Sequence, residues 1–135
     1  MVDFNLYLCL DPIKFVFNAP CVYLMKLSII IPTCDRPQFL NRAVTSALNN
    51  GGNDCEVIIV DDGLEKSASS LTFDGDIKVI TTPGRTGASA ARNLGANHAT
   101  GSYLLFLDDD IEPNRIYIVN ATIARRHSTV DCINA

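Results

Sequence analysis

From Leu27 onward the apolar positions alternate between short unbroken runs and longer stretches with helical spacing. Leu27–Ile31 is a continuous run, as expected of a strand buried on both faces. Pro37 then opens a helical pattern that puts Phe39, Leu40, Ala43, Val44, Ala47 and Leu48 on one stripe, and Asn49-Asn50-Gly51-Gly52 ends it. Glu56–Val60 reads as a second buried strand, closed by Asp61-Asp62-Gly63. A Ser-rich polar stretch follows, with a short helix expected around Glu65–Leu71, before a third strand at Ile77–Thr81. Gly87–His98 reads as a helix of small residues and Tyr103–Leu107 as a fourth strand. Pro113 starts a last helix through Ile116, Val119 and Ile123. This βαβα order predicts the α/β class: a Rossmann-like parallel sheet with right-handed crossovers and helices on both faces.

Ligands of such sheets bind beyond the carboxyl ends of the strands, where strand order reverses. The polar residues gather there: Thr33, Cys34, Asp35 and Arg36 after the first strand, Asp61 and Asp62 after the second, Asp108-Asp109-Asp110 after the fourth. Adjacent carboxylates repel and raise one another's pKa unless a cation or hydrogen bonds offset them. Hard oxygen ligands in that place suit Mg2+ or Mn2+ holding a diphosphate. A solvated acidic turn before Pro113 is the plainer alternative for this run taken alone.

Composition narrows the class. The chain has 135 residues, enough for one domain and one core but small for a complete two-substrate enzyme. With 47% hydrophobic and 19% charged residues it is globular in type, and a net charge of −4 with no basic stripe argues against nucleic acid. Arg125-Arg126-His127, the densest basic patch, fits a helix C-terminal turn. Five cysteines, odd in number and without C-x-x-C, suggest neither a metal cluster nor a disulfide framework, and fit a reducing cytosol. Cys34 and Cys55, at strand ends, read as ordinary buried thiols.

Residues 1–24 stand apart. They are apolar, but Asp11-Pro12, Lys14, Asn18 and Pro20 interrupt them too often for a spanning helix, and no signal-peptide pattern is present. Met25 reads as a natural start. The upstream stretch is then an extra segment, non-native or disordered, or an arm that covers a sheet edge.

Other α/β sites fit less well. A dinucleotide Rossmann domain needs glycines after the first strand, where this chain has Ile31-Pro32-Thr33-Cys34-Asp35-Arg36, and no P-loop is present. A receiver-type domain needs paired acids after the first strand and a later lysine, which are missing. Three carboxylate clusters at strand ends favour a nucleotide site in which metal bridges phosphate oxygens.

Four segments, in order, carry a resemblance: Ser28-Ile29-Ile30-Ile31-Pro32-Thr33, Val57-Ile58-Ile59-Val60-Asp61-Asp62-Gly63, Gly87-Ala88-Ser89-Ala90-Ala91-Arg92-Asn93-Leu94-Gly95 and Phe106-Leu107-Asp108-Asp109-Asp110. Together they resemble the amino-terminal, nucleotide-sugar-binding half of a family 2 glycosyltransferase with the GT-A fold. The resemblance implies a partial GT-A domain over residues 25–135 and a nucleotide-sugar donor, most simply a UDP-sugar, with Mn2+ or Mg2+. It places Pro32 and Thr33 under the nucleotide base and gives Asp61 the role of accepting from a base N–H. Asp62 has the alternative role of capping the next segment.

By the same resemblance Arg92 lies beside the diphosphate, with a surface salt bridge as its structural alternative. Asp108 faces the ribose, Asp110 ligates the metal, and Asp109 is the variable middle position. Gly87, Ala88, Ala90 and Ala91 are expected to serve helix-on-sheet packing. His98 and His127 have no matching role.

An inverting transferase also needs a general base for the acceptor hydroxyl. In the family an acid of the second half supplies it, and nothing between Glu112 and Ala135 resembles that half. The chain therefore reads as a truncated glycosyltransferase, with a glycan or lipid-linked acceptor left unspecified. Truncation leaves the fourth strand with an apolar edge, which predicts a homodimer through that edge unless residues 1–24 cover it. A non-catalytic nucleotide-binding or partner module is the alternative function. A nucleotidyltransferase ranks below both, lacking its glycine- and basic-rich loop. The resemblance implies a cytoplasmic place, peripheral to the inner membrane face.

Overall fold

The computed structural model describes residues 26–118 and 133–134. The extra segment expected at residues 1–24, the basic patch at 125–127, and Val119 and Ile123 of the last helix lie outside the described residues.

Five strands form one parallel sheet: β1 (Leu27–Thr33), β2 (Cys55–Asp61), β3 (Ile77–Thr81), β4 (Tyr103–Phe106) and β5 (Ile133–Asn134), in the order β3-β2-β1-β4-β5. Helix α1 (Pro37–Gly51) links β1 to β2, and α2 (Ala88–His98) links β3 to β4. A 3-10 turn, Ser67–Ser70, occupies the stretch where a short helix was expected, and residues 115–118 form a helical turn after Pro113.

The sequence pattern explains the layers. Strand side chains alternate between faces. On one face Ile29, Ile31, Val57, Ile59 and Leu105 pack with Leu40, Val44 and Ala47 of α1. On the other, Ile30, Ile58, Val60 and Phe106 pack with Ala91 of α2. Because both faces are covered, β1 and β2 carry no alternation and are buried nearly throughout.

Helix α2 sits close to the sheet for a specific reason. A Cβ on Gly95 would stand 2.5 Å from Ile30 Cγ2 and 3.1 Å from Val60 Cγ2. Of the four small residues expected to serve this packing, only Ala91 is buried; Gly87, Ala88 and Ala90 are exposed. Gly87 has φ +99 with open space where a Cβ would be, so its requirement is conformational.

Strand β4 departs from expectation. Its outer edge is not free, because Leu105 and Phe106 pair with Ile133 and Asn134 of β5. The chain's own carboxyl-terminal residues thus satisfy part of the edge that was expected to drive dimer formation. The opposite edge strand, β3, is exposed at Lys78 and Val79. Its lysine is a feature that discourages edge-to-edge pairing.

Candidate functional site

Strand order reverses between β1 and β4: the chain steps from β1 to β2 on one side and returns to β4 on the other. The loops at the carboxyl ends of these strands therefore splay apart and leave a crevice. Pro32, Thr33, Cys34, Arg36, Asp62, Ala88, Ala91, Arg92, Asp108 and Asp109 line it.

Backbone hydrogen bonds fasten the loops around the crevice. Asp62 N–H donates to Thr33 O at 2.8 Å, Thr82 N–H to Asp61 O at 3.1 Å, and Arg85 N–H to Asp62 O at 2.7 Å. Asp35, at φ +53, accepts from Leu64 N–H and Glu65 N–H at 3.4 and 3.3 Å, which ties the loop after β1 to that after β2.

The two acids after β2 divide between faces. Asp61 continues the Val57–Ile59 face, is fully buried, and accepts from Gly63 N–H and Ala68 N–H, both at 2.9 Å. It does not line the crevice, so the carboxylate expected to meet a base N–H is enclosed in the fold. Asp62 is the one that lines the crevice. Its Oδ1 accepts from Thr82 Oγ1, Thr86 N and Thr86 Oγ1 at 2.5, 2.9 and 2.6 Å, and its Oδ2 from Gly87 N at 2.8 Å. Burial alone would raise its pKa, but the hydrogen bonds from Thr82, Thr86 and Gly87 outweigh that and hold it below the usual carboxylate range. Asp62 thus anchors the segment that leads into α2.

The acidic run forms a turn, closed by Ile111 N–H to Asp108 O at 3.1 Å. Each acid meets a different environment. Half-exposed Asp108 accepts from Arg92 Nη2 at 2.7 Å, so the diphosphate-binding candidate and the salt-bridge alternative describe the same side chain. Asp109, expected to be a variable middle position, is 1% exposed and accepts from Thr33 Oγ1 at 2.8 Å. Arg36 Nη2 stands 2.6 Å from Asp109 Oδ1, but its approach is not aligned as a hydrogen bond, so this buried oxygen accepts none. Burial raises the Asp109 pKa; Asp110 and Asp108 add to the rise, while Thr33 and Arg36 oppose it. Asp110 is half exposed outside the crevice lining, with Oδ2 3.8 Å from Arg36 Nη1.

Arg36 and Asp109 are the residues that sequence reasoning did not assign. The signal for Arg36 was its place directly before Pro37, which fixes it at the head of α1 beside the crevice. For Asp109 no local signal exists, since its partner Thr33 is 76 residues away in sequence. Cys34, expected to be buried, is exposed and lines the crevice; Cys55 is buried as expected.

The donor set suits a hard divalent ion only in part. No group of three or more His, Cys, Asp or Glu side chains positioned to hold a metal occurs among the described residues. Two half-exposed carboxylates, Asp108 and Asp110, flank a buried one with an oxygen that accepts no hydrogen bond. That fits Mg2+ or Mn2+ shared with substrate phosphates, and does not fit an all-protein cage. Among the described residues no helix is long and apolar enough to cross a membrane.

Known proteins share this fold. S. aureus TarS, residues 1–349, superposes with a TM-score of 0.63 and 25% identity, covering 77% of this chain and 34% of that one. The mannosyltransferase PcManGT of Pyrobaculum calidifontis, solved with GDP-Man and Mn2+, gives a TM-score of 0.62 at 21% identity over 72% of this chain and 31% of its own. The fold is therefore that of GT-A transferases. In sequence, an uncharacterized glycosyltransferase of Haemophilus influenzae is 36% identical over 89 residues, 62% of this chain and 36% of the relative. A GalNAc(5)-diNAcBac-PP-undecaprenol beta-1,3-glucosyltransferase of Campylobacter jejuni is 33% identical over 93 residues, 64% and 30%. The chain spans about a third of the length of these two relatives. Residues 28–122, which include every residue lining the crevice, match the Glycosyl transferase family 2 domain, and the chain belongs to that family.

Proposed function

We propose that the crevice binds the nucleotide diphosphate of a sugar donor, most simply a UDP-sugar, together with Mn2+ or Mg2+, for inverting glycosyl transfer. One observation carries this reading. At the switch point between β1 and β4, two arginines and the acidic turn converge on a crevice floored by Pro32 and Thr33. Arg92 presents a planar cation suited to paired phosphate oxygens. Asp110 would hold the metal and Asp108 the ribose side of the donor. We read Asp62, which lines the crevice where Asp61 does not, as the acid toward the base, and its N–H bond to Thr33 O ties the two loops together. A bound divalent ion supplies charge neutralisation for the departing diphosphate.

None of the described residues is assigned as the general base, and Glu112, ion-paired with Arg42 at 3.5 Å, is not a candidate. We place the base and the glycan or lipid-linked acceptor site in the portion of the longer relatives that this chain does not match.

Calorimetric titration of UDP in Mn2+, repeated in EDTA and on Asp110→Ala, tests the proposal. Metal-dependent binding that disappears in the variant is the expected result. Absence of binding in every condition would overturn the donor-site reading.

A further inference from the structure

The acidic turn is not left bare in the protein's own structure. Arg36 reaches it from a different element, the loop between β1 and α1, and stands within ion-pair distance of both Asp109 and Asp110. It is the one cation placed so among the described residues, since Arg92 pairs with Asp108.

The two arginine contacts differ in kind. Arg92 makes an aligned hydrogen bond at 2.7 Å. Arg36 is 51% exposed, its short contact with Asp109 Oδ1 is not a hydrogen bond, and its second contact is stretched to 3.8 Å. The guanidinium also lies over the Phe39 ring, whose centroid is 5.9 Å from its Cζ. It is thus held by charge more than by geometry, at the oxygens a divalent ion would seek.

We propose that Arg36 is a tethered competitor of the divalent cation: in the free protein its guanidinium offsets Asp109 and Asp110, and it must leave them before a metal ion binds. This inference rests on the donor-site reading above. Displacement has a second consequence, because Arg36 lines the crevice. Once freed by the metal, the guanidinium is available to phosphate oxygens, while diphosphate arriving first would have to draw it from the acids. Metal and nucleotide therefore favour each other's binding, and Arg36 is a positioning residue that links them.

The test is Mn2+ affinity of the whole chain without nucleotide, read from the electron paramagnetic resonance of free Mn2+. Arg36→Gln is expected to bind Mn2+ about tenfold tighter than the parent, within the usual range of coupling between sites. Arg36→Lys, a point charge that cannot span both carboxylates, should fall between the two. Asp110→Asn should abolish binding in both backgrounds. If Mn2+ binds, is lost with Asp110→Asn, and is unchanged or weaker in Arg36→Gln, the competitor role is overturned while the donor-site reading stands. If no variant binds Mn2+ at millimolar concentration, the competitor role is overturned, and the UDP titration in Mn2+ decides the donor-site reading separately. Should Arg36→Gln lack a cooperative thermal transition, Arg36→Lys decides, and equal or weaker affinity there overturns the inference.

Discussion

Glu56, at the amino end of the β1–β2 pair, and Asp109, packed against the carboxyl end of β1, are both buried carboxylates, and the two are treated in opposite ways. At the amino end, Glu56 accepts from Ser28 Oγ, Thr100 N, Thr100 Oγ1 and Gly101 N at 2.5, 2.6, 2.9 and 3.2 Å, and pairs with Lys26 Nζ at 3.2 Å. At the carboxyl end, Asp109 receives one hydrogen bond, from Thr33, and one unaligned cation, Arg36. The consequences diverge. Burial raises the Glu56 pKa, but hydrogen bonds from Ser28 and Thr100 and the lysine outweigh it, bringing the group from 4.5 to about 2. In Asp109 burial prevails and the pKa rises. A saturated acid holds loops together, whereas Asp109 keeps one buried oxygen that accepts no hydrogen bond.

Breaking the saturated end should have the largest effect. Glu56→Ala leaves the Thr100 and Gly101 donors without their buried acceptor and should cost about 3 kcal/mol in urea denaturation. The sign with pH follows from a depressed folded-state pKa. The Glu56 contribution is full above the unfolded value near 4.5 and is lost as pH falls through about 2. As pH is lowered from roughly 6 to roughly 2, the melting temperature should therefore fall more steeply in the parent than in Glu56→Gln.

Asp62 stands between the extremes: it lies at the crevice but is saturated like Glu56. Asp62→Ala should destabilise by about 2 kcal/mol and weaken UDP binding as well, because Thr86 and Gly87 lose their anchor. A loss of binding with unchanged stability would show that the acid touches ligand without holding the loop.

Asp109→Asn should have the smallest effect on stability, and of opposite sign. A carboxylate whose folded pKa is raised destabilises the fold once ionised, so stability of the parent declines as pH rises through that group's titration. Removing the charge should leave the melting temperature unchanged or raise it, by up to about 1 kcal/mol equivalent, while Mn2+ affinity drops. A strongly destabilised Asp109→Asn would place the acid with Glu56 as a structural group and undo the contrast.

Much of this architecture follows from local pattern. The unbroken apolar runs from Leu27, Glu56 and Tyr103 form strands where expected, and the stripe after Pro37 forms α1, because burial on two faces or one imposes a period on neighbouring residues. The location of the polar residues beyond strand ends was legible for the same reason. Even the division between Asp61 and Asp62 had a signal, since Asp61 keeps the face of Val57 and Ile59 by simple alternation.

What remained hidden depends on partners far apart in the chain. Glu56 meets Thr100 across 44 residues, Thr33 meets Asp109 across 76, and β5 closes on β4 from the far end of the chain. Which acid is saturated, and which arginine faces which carboxylate, depends on loops that only the folded sheet brings together. The sequence by itself determined β1 to β4, α1, α2 and the family. The tertiary structure decided which acids are saturated with hydrogen bonds and which are not, because a carboxylate's energy depends on the donors around it and not on its position in the chain.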